Sequence, residues 1–283
     1  MTEATASDDD NNLSAKVVDG FGDEWGRFDQ IALKDEERER LFAQYFSLFP
    51  WEKLPPDARG ADVGAGSGRW AALVADRVGE LHIVEPSVEA MTVARRALAG
   101  RPNVVFHATG VNDMPIPDSS LDFAYSLGVL HHLPDTLAGI RSCVRTLKPG
   151  APFLVYLYYA FDNRPSWFRA LWKVSDMIRR GVSSLPHGAR YIVSQILAVL
   201  VYLPLARSAR ALARRGHNVA NFPLESYADA SFYTMRTDAL DRFGTALERR
   251  FTKVEIERML TDAGCDSITV GGPPYWCAIG YRR

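Results

Sequence analysis

The sequence predicts an α/β protein whose mostly parallel sheet is covered by helices and finished by one reversed strand. Three observations carry that prediction. Short apolar runs alternate with helical-period segments between Gly60 and Tyr159, the rhythm of strand–helix–strand units. The first run closes on the glycine cluster D-V-G-A-G-S-G at 62–68, and the second, L-H-I-V-E, ends on Glu85, 23 positions after Asp62. Near the C-terminus, strand signals at 267–270 and 275–281 are separated by G-G-P-P. So short a link demands antiparallel pairing, because a parallel crossover needs a dozen or more residues.

Taken in order, residues 1–16 begin M-T-E-A-T-A-S-D-D-D-N-N, a polar acidic tail expected to be disordered and the opposite of a signal peptide. Residues 34–49 are charged, then amphipathic, and stop at Pro50, which predicts a helix ahead of the core. Strand one is expected at 60–63, followed by a helix carrying Trp70, Leu73, Val74 and Val78. Strand two falls at 81–84, and Ser87 can cap a helix bearing Val88, Met91, Ala94 and Leu98. Residues 103–107 and 121–126 read as strands three and four. Residues 135–148 form a helix with Leu137, Ile140, Val144 and Leu147 inward, stopped by Pro149-Gly150. Strand five, 153–159, is apolar enough to be central. Thr252 and Glu255 make a T-x-x-E capping box for a helix striped by Val254, Met259, Leu260 and Ala263 and ended by Gly264. The stretch 160–250 is too long and too apolar for a simple loop and is expected to be a mostly helical lid. The expected organisation is therefore a tail at 1–16, a core at 17–159, a lid at 160–250 and a closing helix and strand pair at 251–283.

At 283 residues and 47% hydrophobic content the chain can bury a full core. A formal charge of −1 argues against a general nucleic-acid binder, which needs a basic field. Cys143, Cys265 and Cys277 are scattered and odd in number, so neither a disulfide framework nor a metal site is expected. A cytoplasmic protein is the expectation from this polar, acidic start.

The glycine cluster and Glu85 are what a nucleoside site requires. Glycines allow a sharp strand-to-helix turn and close approach of a ligand to the backbone. An acidic side chain at the tip of the next strand can take both ribose hydroxyls. The cluster is G-x-G-x-G, and a dinucleotide fingerprint would need a third glycine where Arg69 stands. No lysine follows as in a P-loop, so a triphosphate is equally unsupported, and no Y-x-x-x-K supports an oxidoreductase.

The loop resembles motif I of the class I S-adenosylmethionine-dependent methyltransferases, most closely the group of ubiquinone and menaquinone biosynthesis. The reversed last strand is similar to their Rossmann-like, seven-stranded sheet. That resemblance implies S-adenosyl-L-methionine as cofactor, with Asp62, Gly64, Ala65, Gly66 and Gly68 around its methionine end. Glu85 would hold the ribose, and Pro86 and Ser87 would border the adenine. Family members commonly place an acidic residue before strand four for the adenine amine. This sequence has Gly110 there, so Val111 and Asn112 are expected to substitute. Ser126, Leu127 and Gly128 would line the sulfonium end. Phe21, Trp25 and Phe28 sit on helical spacing and would either dock a helix or close over the cofactor.

His131 and His132 follow strand four, and His131 is the preferred candidate base, since an imidazole titrates near neutrality. Tyr233 and Asp238, beyond the lid, are candidates for acceptor contacts or base. From Met177 to Leu224 there is no Asp or Glu but seven arginines, and within it runs an apolar segment at 191–206. At 16 residues with Ser194, Gln195 and Pro204 inside, that segment is too short for a membrane span. It is expected to be a buried lid helix with a solvated arginine rim, a helix seated on an anionic membrane at its inner face, or a grip on a phosphorylated substrate. The expected function is methyl transfer to a small-molecule, sugar or lipid-linked acceptor, with O-methylation first. C-methylation of a quinone-like or isoprenoid lipid comes second, and a non-catalytic cofactor-binding protein third.

Overall fold

The computed structural model describes residues 12–272 and 277–283. In chain order its regular elements are α1 (Ala15–Arg27), α2 (Asp35–Tyr45), β1 (Arg59–Val63), α3 (Ala71–Ala75), β2 (Glu80–Val84), α4 (Val88–Ala97), β3 (Val104–His107) and β4 (Phe123–Leu127). Then come α5 (Thr136–Thr146), β5 (Pro152–Tyr156), α6 (Ser166–Ser183), α7 (His187–Leu197), α8 (Leu203–Arg214), α9 (Phe232–Gly244), α10 (Lys253–Asp262), β6 (Cys265–Val270) and β7 (Cys277–Arg282). They fall into two compact units. One holds the described residues up to Gly26 with Leu41–Ala160 and Leu247–Arg283; the other holds Arg27–Arg40 and Phe161–Ala246.

The first unit is built on a seven-stranded sheet in the order β3-β2-β1-β4-β5-β7-β6. Strands β1 to β5 are parallel, and β7 runs antiparallel to both β5 and β6. The order reverses between β1 and β4, and ligands of open α/β sheets bind at the carboxyl ends of strands beside such a switch. Alternation along the strands feeds two cores. Val63, Val84, Ala124 and Val155 face one side with Ile140 and Leu260, while Ile83, Phe123, Tyr125 and Leu154 face the other with Phe46, Trp70 and Val74. Gly60 is needed in β1 because a Cβ there would lie 2.1 Å from the Phe123 ring.

Helix boundaries follow local chemistry. The Ser87 hydroxyl accepts from Ala90 N at 3.3 Å, the Asp135 carboxylate accepts from Ala138 N at 3.0 Å, and Thr252 with Glu255 completes the capping box. Gly150 and Gly264 take positive φ, 79° and 95°, where α5 and α10 have ended. Three expectations need correction. Val88 and Val254 are 70% and 71% exposed, because the buried stripes run through Ala90 and Met91 in α4 and Ile256 and Leu260 in α10. The other expected members, Met91, Ala94 and Leu98 in α4 and Met259, Leu260 and Ala263 in α10, pack inward as expected. Helix α3 ends at Ala75, so Val78 lies in the next turn, where the Asn103 amide donates to the Ala75 and Val78 carbonyls at 2.8 and 3.0 Å. The expected tail reaches into α1, which begins at Ala15, and residues 1–11 lie outside the described residues. The strand start expected at Tyr275 also lies outside them.

In the second unit α6, α7, α8 and α9 enclose Val182, Ala198, Tyr202, Met235, Ala239 and Phe243. Two arginines expected on a solvated rim are buried. Arg179 and Arg190 are 4% and 3% exposed and donate to the Thr245 and Gly244 carbonyls at 2.8 and 2.9 Å. They satisfy the carbonyls left over at the end of α9. The apolar segment is longer than its sequence suggested. α7, a π-helical turn (Ala198–Tyr202) and α8 form one 28-residue helix, His187–Arg214, long and apolar enough by length and composition to cross a membrane.

Candidate active site

At the end of β1 the chain turns through Gly64, Gly66 and Gly68 with φ of 79°, 54° and 75°. Side chains are excluded here twice over. Positive φ disfavours any Cβ, and a Cβ at Gly64 would meet Val129 Cγ1 at 2.4 Å while one at Gly66 would meet Trp25 Nε1 at 2.8 Å. Gly68 serves packing instead. It lets α4 approach, with Ala94 Cα 3.2 Å from where its Cβ would be.

Glu85, 6% exposed at the end of β2, accepts from Gly66 N through Oε2 and from Ser87 N through Oε1, both at 2.9 Å. Burial raises its pKa, and the two amides pull it back. Asp62, 3% exposed in β1, accepts from the Tyr125 hydroxyl at 2.9 Å. Burial lifts its pKa to about 7; the Tyr125 bond opposes that and the nearby Glu85 charge reinforces it. Among the described residues no Lys, Arg or His pairs with either carboxylate. Two neighbouring carboxylates in low dielectric favour any cation placed beside them.

Above this floor is a cleft of about 780 Å³ including its open mouth. Gly64, Ala65, Gly66 and Ser67 form its base, with Glu85 and Pro86 on one side. Leu127, Gly128 and Val129 come from the end of β4, and Phe21 and Trp25 from α1. The Ser67 hydroxyl is buried with no hydrogen-bond partner among the described residues.

Several expected residues lie elsewhere. Asp62 and Gly68 flank the loop without lining the cleft. Ser126 is fully buried and donates to the Val63 carbonyl at 2.8 Å. Val111 is buried against the α5 side, and the Asn112 amide oxygen accepts from the Ser142 hydroxyl at 3.1 Å, so neither reaches the cleft. The histidine preference is corrected as well. His131 is fully buried, its pKa driven far down by burial, and it stacks on Tyr158 with ring centroids 3.9 Å apart. His132, itself only 3% exposed and with Nε2 buried, is the imidazole among the residues lining the cleft. Its Nδ1 lies 2.6 Å from the Leu247 carbonyl. A carbonyl only accepts, so that nitrogen carries the proton and Nε2 is the basic one. Tyr233 and Asp238 lie on α9 in the second unit, where the Tyr233 hydroxyl accepts from Gln30 N at 3.0 Å. Phe28 also belongs there, packed on Tyr233 at 5.6 Å, so the N-terminal aromatic stripe divides. Sequence reasoning missed Ser67, Val17 and Arg69 in the lining. Val17, Phe21 and Trp25 recur every four residues, a signal that could have found the first of these helix positions.

Residues 61–155 match the family model described as "Methyltransferase domain". Over 126 residues, 43% of the chain, it is 31% identical to the 27-O-demethylrifamycin SV methyltransferase of Amycolatopsis mediterranei, 45% of which is covered. Over 97 residues, 34% of the chain, it is 33% identical to a ubiquinone biosynthesis O-methyltransferase of Xanthomonas campestris pv. campestris, covering 41% of that protein. The chain thus spans less than half the length of these curated relatives. An O-methyltransferase family protein from Burkholderia thailandensis shares the fold, with a TM-score of 0.53 at 15% identity over 94% of this chain and 59% of that one. The fold is the Rossmann-like class I methyltransferase fold. Residues 61–155 are thus similar to a methyltransferase domain, and a further relative is a probable S-adenosylmethionine-dependent methyltransferase of Mycolicibacterium smegmatis, 32% identical over 37% of this chain and 41% of that protein.

The residues present fit this cofactor. S-adenosyl-L-methionine carries a sulfonium and an ammonium, which suit two buried carboxylates lacking a cation. The glycine cradle, which any Cβ would fill, and the unpartnered Ser67 hydroxyl offer room and a polar contact at the same place.

Proposed function

We propose that the protein methylates an oxygen of a small-molecule, sugar or lipid-linked acceptor. The observation that carries this reading is the pair of buried carboxylates, Asp62 and Glu85, at the tips of β1 and β2 beside the glycine turn. Glu85 keeps a second lone pair on each carboxylate oxygen for ribose hydroxyls, since each oxygen accepts one backbone amide. Asp62 supplies negative charge under the loop, and the Gly64 and Gly66 backbone leaves space for the methionine chain. When bound, the cofactor supplies an electrophilic methyl on sulfur. The protein's share is then alignment, exclusion of water and removal of one proton. Phe21, Trp25 and Val129 present apolar surface around the reacting end. His132 Nε2 accepts the proton of the attacking hydroxyl, while its Nδ1–H holds the ring on the Leu247 carbonyl.

Oxygen is favoured as the methylated atom because the acceptor hydroxyl needs a base and the cleft offers an imidazole. The relatives named O-methyltransferases support the same choice. Incubation with methyl-labelled S-adenosyl-L-methionine and fractionated extract is expected to place base-stable, ether-type label in one acceptor fraction. Label on carbon would reject the oxygen assignment. Calorimetry with S-adenosylhomocysteine that shows no heat on folded protein would reject the site itself.

A further inference from the structure

The outer face of helix His187–Arg214 carries no charge over more than six turns. Every exposed residue from Gly188 to Ala211 is uncharged: Ile192, Ile196, Val199, Leu200 and Val201 are the large ones, and small residues and Pro204 fill the rest. Ile192 is 59% and Leu200 68% exposed. A second stripe runs along α6, where Trp167, Leu171, Val174 and Ile178 recur at i, i+4, i+7 and i+11, all exposed. A water-facing helix ordinarily puts charged residues on that side. Contiguous exposed apolar surface of this kind marks an interaction site.

The inner faces show why these stripes point outward. Arg190 and Ser194 are buried, and Arg207 donates to the Ala228 and Ala230 carbonyls at 2.8 and 3.1 Å. These bonds fix the rotation of the long helix. With Arg190, Ser194 and Arg207 committed on its inner side, the helix offers a bilayer one apolar face and not its whole girth.

Charge selects the occupant. Between Ser166 and Arg215 the chain has nine Lys and Arg and a single acid, Asp176, which is already paired with Arg179 and Arg180. Arg169, Lys173, Arg180, Arg214 and Arg215 are exposed beside or beyond the apolar stripes. Apolar side chains flanked by basic ones complement a surface that is anionic at the headgroups and hydrocarbon beneath.

We infer that the outer faces of α6 and of the 187–214 helix seat this protein on anionic phospholipid bilayers, with the aliphatic stripe sunk to the acyl boundary. The seating does not depend on the methyl-transfer reading, because no residue of the cleft takes part.

The test is flotation of the full chain with 100-nm vesicles of phosphatidylcholine alone or with phosphatidylglycerol, with sedimentation equilibrium of the lipid-free protein alongside. Binding is expected on the phosphatidylglycerol vesicles, weaker by tenfold or more on neutral ones, and reduced by salt. Ile196→Glu with Leu200→Glu is expected to cut partitioning at least tenfold, with S-adenosylhomocysteine affinity unchanged. If the glutamates impair folding, Ile196→Ser with Leu200→Ser takes their place. Failure to float with anionic vesicles overturns the inference. So does a tight dimer in lipid-free solution that the same substitutions dissociate, since a second copy would then be the occupant.

Discussion

Replacing Asp62 with asparagine removes a buried charge and keeps the Tyr125 hydrogen bond, because the amide oxygen accepts as the carboxylate did. In the folded protein the Asp62 pKa stands at about 7, against an ordinary value of 3.8. A raised carboxyl pKa means that the folded state holds its proton more tightly than the unfolded chain does. Stability is therefore lost as pH rises between these two values and changes no further above about 7. Three pKa units at 1.36 kcal/mol each amount to about 4 kcal/mol of charge burial carried by the wild type at pH 8 and absent near pH 4. Urea unfolding of both proteins at pH 5, 6, 7 and 8 isolates this contribution, since other titrating groups cancel in the difference. The expected result is a stability advantage for Asp62→Asn that grows by about 3 kcal/mol from pH 5 to pH 7 and then levels. The same linkage makes S-adenosyl-L-methionine affinity of the wild type rise with pH up to about 7, as a cation beside Asp62 favours the carboxylate. In the variant that slope disappears and affinity falls. Parallel stability–pH curves for the two proteins would refute the reasoning.

Other expectations follow from the same geometry. His132→Ala should lower kcat by about 100-fold or more with cofactor affinity within twofold, whereas a change in calorimetric affinity alone would assign His132 to the cofactor. Glu85→Gln removes a charged acceptor from the ribose side and should weaken S-adenosylhomocysteine binding by about 10- to 100-fold at 1.5–3 kcal/mol, read by titration calorimetry. Gly60→Ala drives a Cβ into the Phe123 ring and should cost about 1–3 kcal/mol in chemical denaturation. Gly66→Ala, at φ 54° under Trp25, should abolish cofactor binding while Gly100→Ala, with open space around it, spares it.

The sheet was legible because its signals are local. Each strand run, the Ser87 cap and the Thr252–Glu255 box depend on neighbouring residues, and Glu85 is found from its spacing to the glycines. What sequence could not give was depth. Val88 and Ile256 belong to equally good apolar periods, and only the sheet beneath decides which members turn inward. His131 and His132 are chemically identical in sequence, and the short turn after β4 sends one into the core and the other to the cleft. Arg179 and Arg190 looked like surface charges because the carbonyls they reach at the end of α9, those of Thr245 and Gly244, lie 66 and 54 positions away.

The π-helical turn at Ala198–Tyr202 has a mechanical consequence. By absorbing an additional residue in one turn, it acts as a phase adjuster: upstream Ser194 and downstream Arg207 both stay keyed to their inner partners, while Val199, Leu200 and Val201 bulge outward in succession. Removing any one of those three is therefore expected to restore ordinary winding with the distal half still in phase. The Arg207 guanidinium would keep its two carbonyls, and what would vanish is the run of three successive apolar side chains facing outward.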